Sequence, residues 1–361
     1  MSQNRMMRVW QIAAGQTGRF YDDLFRKHDV MFMGPATYGP YQPDLYRRLA
    51  EKGIETGNQI TQVRKFCSEA KAGDVVLLRK RLEVIAIGTI ADEPYSWDES
   101  FDDVYGWALQ HRQRVVWQHQ LGEELRGIQG SRPLFHGRKQ IPTFTGVKHA
   151  QVLDRVQHLF TKCERRPLKP LPQSLPKPLS LESLSEALFA RGLSYDSVSK
   201  VRKAIEKQRR LVRWYCESGL SGGRPTEHEV VAHIILPIML GLGWSEQLLA
   251  VEWRKIDLAA FRATPTDERT CKLVVEAKEM NHGLQGVVEQ AKGYARKLPE
   301  CDKILVTNGI RCYMHRREGD HWGETPIHYF NLLRLREDHL CHPGTNAVDG
   351  IVALTPASVS R

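Results

Sequence analysis

The chain reads as a two-domain α/β protein: a strand-rich N-terminal domain, a Pro-rich linker with a basic helical arm, and a C-terminal α/β domain. Three observations predict this. Its 361 residues are 41% hydrophobic and 26% charged, an ordinary globular balance with enough apolar material for more than one core. Prolines 167, 170, 172, 176 and 178 crowd the stretch from Arg165 to Leu179, a density that excludes helix interiors and central strands and favours an extended spacer. Strand-like apolar runs lie on both sides of a helical block that follows the prolines. The boundaries drawn are 1–162, 163–224 for linker and arm, 225–336, and a C-terminal tail over 337–361, its last residues from Thr355 loose.

Taken in order, RVWQIAAG at 8–15 predicts the first strand and Asp22 to His28 a short helix. A Lys-Ala-Gly-Asp turn at 71–74 opens DVVLLRKRLEVIAIGTIAD, a long β-rich run, and RQRVVWQ at 112–118 adds a strand. Beyond the prolines, Ser183 with Glu186 fits a capping box, and Val201, Ile205, Val212 and Tyr215 recur at helical spacing. SGLSGGRP at 218–225 is a Gly-rich punctuation. Thr226 and Glu229 form a second capping box ahead of an apolar helix ending near LGLGW. A strand around 253–261, a polar turn, the strand KLVVEAK, a helix over 284–297, and the strands KILVTNG and RCYMHRR complete the domain.

The net charge is +10, which favours a polyanionic partner. Residues 162–214 carry 13 Lys and Arg against 5 Asp and Glu, eight of those ten charges. Lys203, Lys207, Arg209, Arg210 and Arg213 lie opposite the apolar stripe and are the expected phosphate contacts. No apolar run reaches the ~20 residues of a membrane span, and the N-terminus lacks the apolar region of a secretory signal. Seven scattered Cys with no C-x-x-C pair argue against a disulfide framework. A cytoplasmic protein is the expectation.

Two carboxylates and a lysine carry the chemistry. Asp257 follows strand-like sequence, and Glu276-Ala-Lys278 closes KLVVEAK, so Glu276 and Lys278 share one face of a strand. Phosphodiester hydrolysis needs acidic oxygens for a hard cation and a base or cation beside the attacking water. Glu227, at the start of the preceding helix, supplies a further carboxylate; Glu229 is its competitor, and the spacing to Pro237 and Gly243-Trp244 favours Glu227. The His228-Glu229…His233 run is one residue too long for a zinc-protease helix, because an i,i+5 pair lies about 140° apart.

In this order the elements resemble the PD-(D/E)XK nuclease superfamily, and in particular the nuclease domain of type I restriction motor subunits. The resemblance covers about 225–315 and rests on Glu227, Pro237, Leu242-Gly-Trp244, Asp257, Glu276-Ala-Lys278, Gln290-Ala-Lys-Gly-Tyr294 and Thr307-Asn-Gly309. It implies a mixed sheet flanked by helices. It further implies Asp257, Glu276 and Glu227 as ligands of Mg2+, with Mn2+ able to substitute, Lys278 as a catalytic residue, and Gln290 in a supporting role. Asp257 follows Ile256 rather than proline, a departure from the family pattern.

Val9-Trp10, Gly73-Asp74-Val-Val-Leu-Leu, Ile87-Gly88 and Arg114-Val-Val-Trp117 resemble the EVE branch of the PUA-like superfamily. That resemblance implies a compact β-barrel with short helices and a reader of modified bases. Such a reader needs aromatic plates. Trp97, in the polar loop PYSWDES, leads the candidates, with Tyr95, Trp107 and Trp10 beside it and Tyr38, Tyr41, Tyr105 and Trp117 as further aromatics. Reader and nuclease together resemble modification-dependent (type IV) restriction endonucleases, which act on foreign, phage-borne DNA. The partners expected are double-stranded DNA with modified bases and a second copy of the chain as a homodimer for double-strand cleavage. The alternatives are an RNA-targeting nuclease and a non-cleaving binding protein with a decayed nuclease fold.

Overall fold

Val9 to Ala13, buried at every position, forms β1 of a computed structural model that describes residues 8–359 apart from 17, 18, 35, 37, 52–56, 82, 94, 119–123, 125–141, 164, 165, 218–224, 281 and 285. The Gly-rich 218–224 and the linker's first residue, Arg165, lie outside the described residues. The chain divides into two units, Met1–Ser174 and Leu175–Arg361.

In the first unit, β1 is followed by a short pair, β2 (Gly15–Gln16) and β3 (Arg19–Phe20), then α1 (Asp22–His28) and β4 (Val30–Met33). Next come α2 (Pro43–Glu51), α3 (Gly57–Arg64), β5 (Val75–Lys80) and β6 (Glu83–Ile90). β7 (Ser96–Trp97), β8 (His111–Gln118), β9 (Phe144–Gly146) and α4 (Ala150–Phe160) complete it. The strands make a curled sheet of order β4-β8-β6-β5-β1-β9, with β7 on β8 and only β1 and β5 parallel. Burial on both faces explains the nearly unbroken apolar run of β5. One face packs Val75, Leu77 and Ile87 against Val152, Val156 and Leu159 of α4. Gly88 is required where β6 passes Trp117, since a Cβ there would stand 2.6 Å from the indole. Expected elements at Asp22–His28 and over 112–118 stand where the pattern placed them.

The Pro-rich segment is anchored on this unit as far as Pro170. Asp29, fully buried in the left-handed region at the end of α1, accepts from Arg166 Nη2 at 2.7 Å and from the Lys169 amide at 2.9 Å. His28 Nδ1 meets the Pro170 carbonyl at 3.1 Å.

The second unit begins with α5 (Leu181–Ala190) and α6 (Tyr195–Glu217), followed by α7 (Glu227–Val230), a wide π turn over Val231–Ile235 and α8 (Leu236–Gly241). Pro237 has no N–H to donate back, and the wider turn accommodates its ring. Then come β10 (Leu249–Trp253), β11 (Ile256–Phe261), β12 (Cys271–Ala277), α9 (Val287–Ala295), β13 (Lys303–Thr307) and β14 (Arg311–Glu318). β15 (His321–Trp322), β16 (His328–Asn331), α10 (Ala347–Val352) and α11 (Pro356–Val359) close the chain. The sheet order is β10-β11-β12-β13-β14-β15, with β16 on β14 and only β12 and β13 parallel. Along β12, Leu273, Val275 and Ala277 face the core under α5 to α8 and Val274 faces the core under α9, while a bulge at the start of the strand turns Cys271 to the α9 side as well.

Three expectations need correction. The helical block of the expected 163–224 arm is a layer of the second unit: Leu184, Leu188, Val198, Val201, Ile205 and Val212 are buried with Ile234, Leu258 and Leu305. Its apolar stripe demands such cover, which proline and glycine punctuation does not reveal. α5 is capped three residues earlier than expected, by Ser180, whose Oγ accepts the Ser183 N–H. The expected tail over 337–361 carries buried Val348, Ile351, Leu354 and Val359, and the Leu354 carbonyl accepts Trp244 Nε1 at 2.7 Å. Its helices are only six and four residues long, too short for a periodic signal. No helix among the described residues is long and apolar enough to cross a membrane.

Candidate active site

β11 and β12 are antiparallel, with Leu258 paired to Val275, so the next rung sets Asp257 opposite Glu276. The two carboxylates share the sheet end where the Thr307 carbonyl accepts the Lys278 amide at 2.8 Å. Asp257 Oδ2 accepts the Ala277 N–H at 2.7 Å. Lys278 Nζ lies 2.8 Å from Glu276 Oε1 and 3.2 Å from Glu227 Oε1, so the ammonium bridges a strand carboxylate and the first residue of α7. The Thr226–Glu229 capping box fixes that helix start. Because Glu229 is spent on the cap, Oε2 holding the Thr226 amide at 2.7 Å, Glu227 is the carboxylate brought to the site.

Burial is the largest effect on both acids and raises their pKa values. For Asp257 the Ala277 amide and Lys278 oppose it, while Glu227 and Glu252 add to it. For Glu276 the Lys278 bond opposes it, and Asp257 and Glu227 add to it. Burial alone would lower the Lys278 ammonium, but its bonds to Glu276 and Glu227 prevail and raise it. Glu276 is 2% exposed, and its Oε2 has no hydrogen-bond partner among the described residues. A buried carboxylate oxygen without a partner costs about 1–3 kcal/mol, and like charges on facing rungs add to that. A hard cation would relieve both. No three of His, Cys, Asp and Glu among the described residues converge as a ready cage, but Mg2+ takes one or two carboxylates and keeps several waters. Asp257 and Glu276, with Glu227 beyond the lysine, therefore fit such an ion.

Sequence reasoning missed Glu252. Val251 pairs with Leu258 and Trp253 with Ile256, which places Glu252 across from Asp257 and makes a row of three carboxylates on neighbouring strands. Glu252 has φ +54 and meets His228 Nδ1 at 2.8 Å. The signal was its position flanking the two-residue Arg254-Lys255 turn, which a single-strand reading of 253–261 concealed. Gln290 is exposed on α9, its Nε2 3.4 Å from the Tyr294 hydroxyl, and no hydrogen bond joins it to the acids among the described residues.

The four aromatics expected to form one pocket are divided. Tyr95 and Trp97 meet at His111: the Tyr95 hydroxyl is 2.8 Å from Nδ1, and the indole stands edge-on to the imidazole at 5.2 Å. Tyr41, half-buried, donates its amide to the Tyr95 hydroxyl at 3.0 Å, and Tyr46 Oη lies 3.2 Å from His111 Nε2. Burial pushes Tyr95 up to about 12. His111 and Tyr46 were not foreseen, since their role arises only when β8 and α2 come together. Trp107 belongs to another group, with the Arg19 guanidinium 4.5 Å over its ring and Tyr21 edge-on at 5.7 Å. Trp10 is buried, stacked on Phe144 at 5.1 Å with Nε1 on Asp74 Oδ2 at 2.9 Å, and is a core residue.

On α6, Lys203, Lys207, Arg210 and Arg213 are exposed. Arg209 is not with them: half-buried, it donates Nε to the Leu332 carbonyl at 3.1 Å, and burial lowers its pKa. It braces the helix against the loop after β16.

Against known proteins, no curated sequence matches the chain. Residues 10–131, about a third of the chain and wholly within the first unit, are similar to a family described as a domain of unknown function (DUF8426).

Proposed function

We propose that the protein is a Mg2+-dependent endodeoxyribonuclease whose N-terminal unit reads a modified base, a type IV-like restriction enzyme acting on foreign DNA. The observation that carries this reading is the opposition of Asp257 and Glu276, with Lys278 Nζ at 2.8 Å from the buried acid and the acid's second oxygen without a partner. A bound divalent cation supplies Lewis-acid activation of water and screening of phosphate charge. Asp257, Glu276 and Glu227 would hold it. Lys278 then faces the scissile phosphate as a cation, suited to stabilising charge that builds on the phosphoryl oxygens. The PD-(D/E)XK resemblance of 225–315 supports the same reading.

We assign the base reader to Tyr95 and Trp97. Both residues are half-exposed, and both meet buried His111. Stacking on such a plate returns part of the free energy lost when a base leaves the helix. Digestion of a panel of plain and base-modified DNAs with Mg2+ or Mn2+, with RNA in parallel, tests the function. Cleavage confined to modified DNA is expected. Preferential cleavage of RNA would transfer the reading to an RNA nuclease.

A further inference from the structure

We propose that the outer face of α6 is a track for single-stranded DNA, with Trp214 as the plate on which an unpaired base stacks. The inference rests on the nuclease reading above and names the form of substrate strand that reaches its site.

Lys203, Lys207, Arg210 and Trp214 are separated by four, three and four residues. At about 100° per residue they fall within roughly 60° of arc, along ~16 Å of helix. All four are exposed, and Trp214 is 52% exposed, its ring edge-on to Tyr215 at 4.9 Å. Among the described residues, no carboxylate pairs with Lys203, Lys207 or Arg210, whereas their neighbours Lys200 and Arg202 are paired with Asp196 and Glu182. Glu206 is exposed at the border of the arc.

Cations in a row attract any polyanion. An exposed indole among them adds something a duplex backbone does not use, a face for a base. Basic tracks with interposed aromatics are the general solution for single strands, because every base has a π-face.

The opposite face of the same helix ties this track to the candidate active site. Gln208, fully buried, donates Nε2 to the Gly309 carbonyl at 2.8 Å. That turn is tightly held, since Gly309 has φ +78 and a Cβ there would stand 2.7 Å from Ile234 Cδ1. Two residues earlier, the Thr307 carbonyl accepts the Lys278 amide. The helix that carries the track is thus anchored on the turn next to the strand end that bears Lys278.

Anisotropy titrations in EDTA, with the full chain and a labelled oligonucleotide offered single-stranded and as a duplex, test the proposal. Trp214→Ala should weaken single-strand binding roughly tenfold, the scale of one stacked base, and duplex binding less than twofold, while Trp214→Phe retains most of the affinity. Lys207→Ala with Arg210→Ala should weaken both. Equal loss on both forms in Trp214→Ala, or no loss on either, overturns the stacking role and leaves the nuclease reading intact. A wild-type chain that binds neither form overturns that reading and the track with it.

Discussion

Asp257 and Glu276 face each other across neighbouring antiparallel strands, and the amide just after Glu276 donates to Asp257 Oδ2 at 2.7 Å. Two acids on facing rungs, one of them buried, are poor choices for stability alone. Under the proposed reading they serve, beside Lys278, as a place for a cation and a phosphate. Thermal unfolding with Mn2+ titrated in should therefore show stabilisation of the wild-type chain that Glu276→Gln loses. The same variant without metal should be as stable as wild type or more so, because the like-charge cost is gone.

Lys278→Ala should abolish cleavage while leaving DNA binding, measured in EDTA, within about twofold of wild type. Gln290→Ala should lower the cleavage rate without abolishing it, since among the described residues no hydrogen bond joins Gln290 to the acids. Single-turnover rates on one substrate separate the two.

Neutralising Lys203, Lys207, Arg210 and Arg213 together should weaken binding to all sequences alike. Each lost phosphate contact should also remove about 0.9 from the log–log salt slope on duplex DNA. Arg209→Ala should behave differently, lowering the unfolding midpoint while leaving the slope unchanged, because its Nε serves the Leu332 carbonyl.

Much of this was legible in the sequence for a simple reason: Glu276 lies at the end of β12 and Lys278 two residues on, just past it, so their shared face follows from the period of the strand. The Thr226 capping box was similarly local. Glu252 was not legible, because its place beside Asp257 depends on the Arg254-Lys255 turn, both residues at positive φ, inside the run read as one strand. Nor was His111, whose importance comes from Tyr46 and Tyr95, 65 and 16 residues away. Arg209 and Arg210 are adjacent and chemically alike, and only the loop bearing Leu332 distinguishes them. Trp10 and Trp97 differ in the same way, one closed over by Phe144 and the other left at the surface of β7.

Selectivity should respond to that difference. Trp97→Ala, and to a lesser degree Tyr95→Ala, should reduce the preference for modified over plain DNA in competition binding without unfolding the chain. Trp10→Ala should instead cost about 3–5 kcal/mol of stability, as a buried aromatic does, with selectivity unchanged in whatever fraction remains folded.

Acid should loosen the first unit through Asp29. Burial alone would raise its pKa, but the Arg166 guanidinium and the Lys169 amide outweigh burial and hold the carboxyl below its ordinary value. A depressed folded-state value contributes stability that is present above the unfolded pKa, about 4, and is lost as pH falls through the folded one. Asp29→Asn should therefore flatten the acid limb of the pH–stability profile. Arg166→Ala should be destabilising near neutral pH, on the order of 3 kcal/mol, because it strands a buried charge.

Nicking of supercoiled plasmid bearing modified bases, followed as Mg2+ is titrated from zero with wild type and Asp257→Ala side by side, decides whether these acids serve a catalytic metal. The proposed metal site requires metal-dependent nicking by the wild-type chain and none above background by the variant. Nicking that persists unchanged in Asp257→Ala, or that proceeds equally well in EDTA, would contradict it.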